Sequence, residues 1–219
     1  MKISAKLVAL TQPVIGTPAA NSEALIAYCA RVSNPSNQDN PDYSKLLDYC
    51  IRNKHWSVFE MANAIVEVAA PRDITRQLLR HRSFCFQEFS QRYSDEIEFT
   101  DREFRRQDDK NRQNSVDDLH ESLQNKFEGI TETLAWEAER LYKNMRQHSI
   151  AKECARVVLP EGLTMSKLYV NGTVRSWLHY LDVREDHTTQ YEHQLLAREI
   201  RKVLEPAFPT IFKVNNDAG

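Results

Sequence analysis

Eight apolar residues, Leu119, Leu123, Phe127, Ile130, Leu134, Ala138, Leu141 and Met145, advance along the chain in steps of three and four. That spacing holds one face of an α-helix apolar over about thirty residues. The rest of the chain must therefore pack around at least one long amphipathic helix. Shorter patterns surround it. Residues 2–10 alternate as a strand, with Ile3, Ala5, Leu7 and Ala9 on one face. A helix is expected after Asn21 or Ser22, burying Leu25, Ile26, Cys29 and Ala30, and another over 42–53 on Leu46, Leu47, Cys50 and Ile51. The stretch 34–41 is polar, with two prolines, and reads as a loop.

Residues 62–71, rich in Val, Ile and Ala, read as a strand, and Pro71 suits the first turn of a short helix over 72–82. The aromatic run 84–94 reads as extended chain, and the charged stretch 101–116 as a mobile loop. Helical spacing returns at 149–159, a short strand is expected at 164–170, and two helices at about 173–183 and 189–204. The fold class that follows is α/β (α+β), long helices on a small mixed sheet, as a single domain over 1–219.

Composition narrows the function. Hydrophobic residues make up 41% and charged residues 27% of the chain, and the formal net charge is −2. An anionic ligand must then be gripped by a local cluster rather than attracted by a global field. Cys29, Cys50, Cys85 and Cys154 are scattered without metal or disulfide spacing. With no signal-peptide core and no run long enough to span a membrane, a reduced cytoplasmic setting is expected.

Two clusters carry chemistry. Residues 76–92 hold four arginines, one histidine and one glutamate among aromatics. Gln77 and Arg80 share a helix face, and in extended chain Phe84, Phe86, Glu88, Ser90 and Arg92 share one side. Ser90 beside Arg92 offers a hydroxyl and a bidentate fork for a phosphate, and Glu88 can accept from a sugar hydroxyl or a ring N–H. A solvated basic helix followed by an edge strand is the structural alternative. In residues 173–184, Arg175 and His179 are four apart and project together, a fit for a flavin or nucleotide edge, whereas Arg184 falls where it can equally complement the helix dipole. His179, His187 and His193 lack helical metal spacing, so no metal is expected. Cys154, in an Ala/Val context, reads as a small buried thiol rather than a nucleophile. A nucleic-acid-binding role for 72–92 and 102–112 is disfavoured by the net charge.

The order of these pieces resembles a known family. Arg80, His81 and Arg82, then seven residues, Ser90, one residue and Arg92 resemble the RHR-x7-S-x-R signature of flavin-dependent thymidylate synthases. HWSVFE (55–60), ECARVVLP (153–160), NGTVRSWLHYLDVR (171–184) and TQYEH (189–193) extend the likeness from about residue 50 to 195. Cys85 and Gln87 stand where many members have Ser and Asn. The resemblance implies the thymidylate synthase-complementing fold and reductive methylation of dUMP to dTMP. It implies FAD as cofactor, with NADPH and 5,10-methylenetetrahydrofolate as co-substrates. It places Ser57, Arg80, His81, Arg82, Glu88, Thr173, Val174, Arg175 and His179 at FAD. It places Gln77, Leu78, Leu79, Arg80, Glu88, Phe89, Ser90, Gln91, Arg92, Arg156 and Arg184 at dUMP, with Arg184 catalytic through polarisation of the uracil ring. His55 is implied near the folate and NADPH side. The family forms homotetramers with shared active sites, and neither nucleic acid nor membrane is an expected partner.

Overall fold

A computed structural model describes residues 1–213. In chain order its elements are β1 (Ser4–Leu10), α1 (Ser22–Ala30), α2 (Ser44–Arg52), a 3-10 turn (Trp56–Glu60), β2 (Asn63–Pro71), α3 (Arg72–Leu78), β3 (Cys85–Glu88), the short pair β4 (Arg106–Gln107) and β5 (Ser115–Val116), α4 (Glu121–Gln147), α5 (Lys152–Ala155), a 3-10 turn (Arg156–Val158), β6 (Met165–Thr173), α6 (Val174–Arg184) and α7 (Tyr191–Leu204). The main sheet runs β1-β2-β6-β3.

Every pairing in that sheet is antiparallel, with Val66 opposite Val170 and Phe86 opposite the same Val170 across the other edge. The expected α/β class therefore stands, but the sheet is not mixed. Neighbouring strands alternate in direction, so no parallel crossover is needed. Pro71 closes β2 and caps α3 instead of lying inside the helix.

Alternation builds the core. Ala64, Val66, Val68 and Ala70 of β2 and Leu168 and Val170 of β6 are fully buried, as period two requires of one sheet face. Onto them pack Val174, Trp177 and Leu181 of α6, Leu196, Ala197, Ile200 and Leu204 of α7, and Ile26 and Ala27 of α1. The Trp177 indole N–H donates to the Ala64 carbonyl at 3.2 Å, so burying the ring strands no polar group. A register shift between Leu7 and Ala9 turns the end of β1 over. Leu10 packs on the core in place of Ala9, which strict alternation had put there.

α1 starts as expected: the Asn21 side chain accepts from the Ala24 N–H at 2.8 Å. α4 runs 27 residues, but none of the described residues covers its apolar stripe. Ala138 and Tyr142 are buried, whereas Leu123, Phe127, Ile130, Leu134 and Leu141 are 40–52% exposed. Helical order over 149–159 shrinks to α5 and a 3-10 turn, and the charged stretch 101–116 contains the β4–β5 pair. Cys154 is exposed, against expectation. α5 has only four residues and turns Ala155, not Cys154, toward the interior. Among the described residues no helix is long and apolar enough to cross a membrane, and no His/Cys/Asp/Glu group could hold a metal ion.

Candidate active site

α3 ends at Leu78, and the chain then folds through two tight turns, the His81 N–H on the Leu78 carbonyl and the Phe84 N–H on the His81 carbonyl. Phe84 anchors this loop. Its ring centroid lies 4.4 Å from that of Trp177 and 5.8 Å from that of Tyr180. Gly172 in β6 makes this possible, since a Cβ there would come within 2.3 Å of the Phe84 ring. His81 is thereby held on α6, edge-on to Tyr180 at 5.1 Å.

Arg184, at the last turn of α6, donates from Nε to His81 Nε2 at 2.9 Å. The histidine must accept, so it is neutral with its proton on Nδ1. Its surroundings enforce this. Burial, with the Arg184 and Arg80 charges, pulls the His81 pKa down to about 4. Arg184 is half-buried and, among the described residues, has no carboxylate partner. Burial pulls its own pKa down as well. A surface ion pair with Glu185 is not what holds it, because Glu185 is taken by Arg201 at 2.6 Å.

Behind this pair lies a polar network that pattern reading missed. His193, fully buried, meets Gln77 Oε1 through Nδ1 and the Tyr180 hydroxyl through Nε2, each at 3.2 Å. Burial, then the charge of Arg184, holds the His193 pKa at about 3. Gln77 donates to Gln190 Oε1 at 2.6 Å, Gln190 donates to Glu192 Oε2 at 2.9 Å, and Glu192 pairs with Arg105. An open cleft of about 670 Å³ borders the network, lined in part by Arg102, Arg105, Gln190 and Tyr191. The one available signal was Gln190 and His193 three apart at the start of a helix, which names a shared face but no partner.

The expected phosphate grip has a different backbone. β3 stops at Glu88 and the chain turns at Ser90, whose carbonyl accepts from Tyr93 N–H at 3.0 Å. Ser90 and Arg92 therefore do not share a strand face. They meet inside the turn, where the Ser90 hydroxyl accepts from the Arg92 backbone N–H at 3.3 Å. The exposed Arg92 side chain lies 3.4 Å from Glu153 of α5, and Lys152 donates to the Tyr93 carbonyl. This docking brings the segment bearing Arg156 up to the turn. Glu88 accepts from the Ser166 hydroxyl at 2.9 Å. Gln91 is buried and accepts from Arg72 at 2.7 Å, Leu78 lies in the core, and Leu79 packs against it. These three side chains are committed to the fold, so only their backbone groups can reach a ligand. Phe89 likewise spends its N–H on the Lys167 carbonyl.

The other residues expected at FAD, Ser57, Thr173, Val174, Arg175 and His179, gather elsewhere, with His55 near them. The Trp56–Glu60 turn packs on α6, with Arg175 paired to Glu60 and His179 edge-on to Trp56 at 4.7 Å. Ser57 and His55 are exposed on this turn, His55 beside Tyr49 at 5.6 Å. Thr173 caps α6, its hydroxyl accepting from the Ser176 N–H at 3.2 Å, and Val174 is core. A cleft of about 710 Å³ opens here, bounded by Lys54, Trp56, His179 and Asp182. From Arg175 to Arg184 is nine residues, a rotation of about 180° on an α-helix. One subunit thus presents Arg175 and His179 on one side of α6, and Arg184 and His81 on the opposite side.

Comparison with known proteins decides the family. Residues 15–210 match the sequence model of the thymidylate synthase complementing protein family. The chain belongs to that family. Within it, a flavin-dependent thymidylate synthase of Synechocystis sp. is 50% identical over 209 residues, covering 94% of this chain and 96% of the relative. A probable flavin-dependent thymidylate synthase of Paramecium bursaria Chlorella virus 1 is 46% identical over 213 residues, covering 96% and 98%. The crystal structure of the UMP/dUMP methylase PolB from Streptomyces cacaoi, bound with 5-Br dUMP, superposes with a TM-score of 0.79 at 26% identity, covering 96% of this chain and 93% of that one. The thymidylate synthase complementing fold thus accounts for the α/β arrangement described above.

Proposed function

We propose that this chain is a flavin-dependent thymidylate synthase, methylating dUMP to dTMP with FAD as cofactor, 5,10-methylenetetrahydrofolate as one-carbon donor and NADPH as reductant. The observation that carries the reading is Arg184. Its Nε is fixed to a neutral His81, its charge has no carboxylate partner among the described residues, and its two Nη groups are the donors left for a ligand. Such a fork fits the C2=O oxygen on the N3–C2=O edge of a uracil, because a guanidinium only donates and the N3–H cannot accept. There it stabilises the enolate-like charge that makes C5 nucleophilic, without a thiol adding to C6.

The remaining assignments follow the same logic. Ser90 and Arg92 in their turn, with Arg156 beside it, hold the dUMP phosphate. Gln77, Arg80 and Glu88 meet the nucleoside, with Leu78, Leu79 and Gln91 contributing backbone and Phe89 its carbonyl alone. Arg80 and Arg82 are exposed without carboxylate partners among the described residues, and the Trp56–His179 pair offers an aromatic wall. That donor set fits a planar group bearing a diphosphate, so FAD is assigned to Ser57, Arg80, His81, Arg82, Glu88, Thr173, Arg175 and His179, with Val174, whose side chain is core, contributing backbone alone. Flavin, when bound, supplies the redox chemistry that turns the one-carbon unit into a methyl group; the protein binds, orients and excludes water. His55 stands at the open side for folate and NADPH.

Two features support a homotetramer with shared sites. The exposed stripe of α4 leaves apolar surface that a second copy would cover. Opposite faces of α6 cannot serve one flavin from one subunit. The chain acts as a single domain over 1–219, of which 214–219 lie outside the described residues, in the cytoplasm and without nucleic-acid or membrane partners. The test is aerobic purification, a flavin absorbance spectrum, and NADPH oxidation with and without dUMP, with dTMP measured as product. A colourless protein that forms no dTMP when supplied with FAD overturns the proposal.

A further inference from the structure

The network behind Gln77 has a direction, and a single charge sets it. Glu192 is buried and ionised. Burial alone would raise its carboxyl, but the bonds from Arg105 and Gln190 outweigh that and hold it below the usual range. A carboxylate only accepts, so Gln190 must turn its NH2 to Glu192 and its Oε1 to Gln77. Gln77 must then donate to Gln190, which leaves its own Oε1 facing His193 Nδ1. His193 Nδ1 must carry the proton, so bare Nε2 accepts from the Tyr180 hydroxyl. Reversing any one amide would set two donors or two acceptors against each other, in a place where unmade hydrogen bonds are costly.

We propose that Glu192 and Gln190 are positioning residues that lock the Gln77 amide in one orientation, so that it meets the substrate base as a donor and favours uracil over cytosine. This rests on the reading above that Gln77 faces the dUMP nucleoside. With one N–H given to Gln190 and Oε1 given to His193, the second Gln77 N–H is the group left for a ligand. Uracil offers carbonyl oxygens at C2 and C4. Cytosine presents an amino group at C4, which a freely turning amide could satisfy by flipping and a locked one cannot.

Glu192→Gln is the isosteric test, because a neutral amide at 192 lets Gln190 and Gln77 reverse. Dissociation constants for dUMP and dCMP are read from the flavin spectrum of FAD-loaded parent, Glu192→Gln, Gln77→Ala and the double variant. Glu192→Gln should weaken dUMP about tenfold and narrow the dUMP-to-dCMP ratio, and the loss should vanish in the Gln77→Ala background. The same loss with or without Gln77, or an unchanged ratio, overturns the proposal. Where Glu192→Gln does not fold, Gln190→Met enters the same cycle. The His193 tautomer, measured by 15N NMR on the selectively labelled parent, must carry its proton on Nδ1, and a proton on Nε2 refutes the chain. A parent that binds neither nucleotide overturns the functional reading instead, and the tautomer then still tests the network.

Discussion

Replacing Arg184 by alanine separates catalysis from folding, because the structure makes the two effects unequal. The guanidinium is half-buried and, among the described residues, has no carboxylate to neutralise it. Removing it gives up one charge-assisted bond, to His81 at 2.9 Å, but also relieves the cost of keeping a charge partly out of water. These oppose each other, so the net change in stability is expected within about 1 kcal/mol. The reaction has no such compensation. Losing a preorganised donor at a developing negative charge costs about 3–4 kcal/mol, a rate loss of roughly a hundredfold to a thousandfold. Arg184→Lys should recover little, since an ammonium cannot present two parallel donors. The assay is tritium release from C5-labelled dUMP with chemically prereduced, FAD-loaded protein, which bypasses the NADPH step. As an internal control, the His81 pKa should rise from about 4 once the neighbouring charge is gone. Near-parental tritium release from a folded Arg184→Ala protein would refute the assignment and shift attention to Arg80 or Arg156.

Acid should unfold the protein through its buried histidines. His193, with a folded pKa of about 3 against an ordinary 6.5, binds its proton mainly in the unfolded chain. Its stabilisation is complete above pH 6.5 and lost as pH falls toward 3, about 2 kcal/mol by pH 5, with His81 adding in the window from 6.5 to about 4. A thermal midpoint that is flat from pH 7 to 4.5 contradicts the buried neutral assignment. Arg92→Ala should weaken dUMP by about 1.5–3 kcal/mol, whereas Glu153→Gln, releasing Arg92 from its exposed pair, should tighten dUMP by no more than about 1 kcal/mol. Titrations followed through the flavin spectrum decide both, and unchanged affinity in Arg92→Ala removes the phosphate role. Ile130→Asp with Leu134→Asp should dissociate the assembly, because each side chain contributes about 1.5–3 kcal/mol when fully covered. Light scattering that gives the parental mass would show that the α4 stripe faces solvent.

Local patterns are legible in the sequence where one element decides the outcome. The period of α4, the Asn21 cap and the i, i+4 pair Arg175 and His179 depend on neighbours within a turn or two. The errors arose where distant chain intervenes. Alternation placed Ser90 and Arg92 on one strand face, but β3 ends at Glu88, and one bond later, Phe89 N–H to the Lys167 carbonyl, the chain turns at Ser90 and leaves β6. In β1 a single bulge reversed the inward face. Helical period established that α4 is two-sided without saying what covers its apolar side. The Gln77–His193 contact joins residues 116 apart in sequence, and Arg184–His81 residues 103 apart. No spacing rule reaches that far, so the network behind the site was legible only as isolated letters.

The two-faced α6 has a genetic consequence. If its Arg175 side serves one cofactor site and its Arg184 side another, each subunit lends half of its chemistry to a neighbour. Two inactive alleles, Arg175→Ala and Arg184→Ala, expressed together would then assemble some sites with both faces intact, and a cell carrying neither functional copy would regain thymidylate synthesis. The converse also holds. A folded but defective copy mixed with the normal one would spoil sites that its partner subunits would otherwise complete, so such an allele would act dominantly in proportion to its share of the assembled chains.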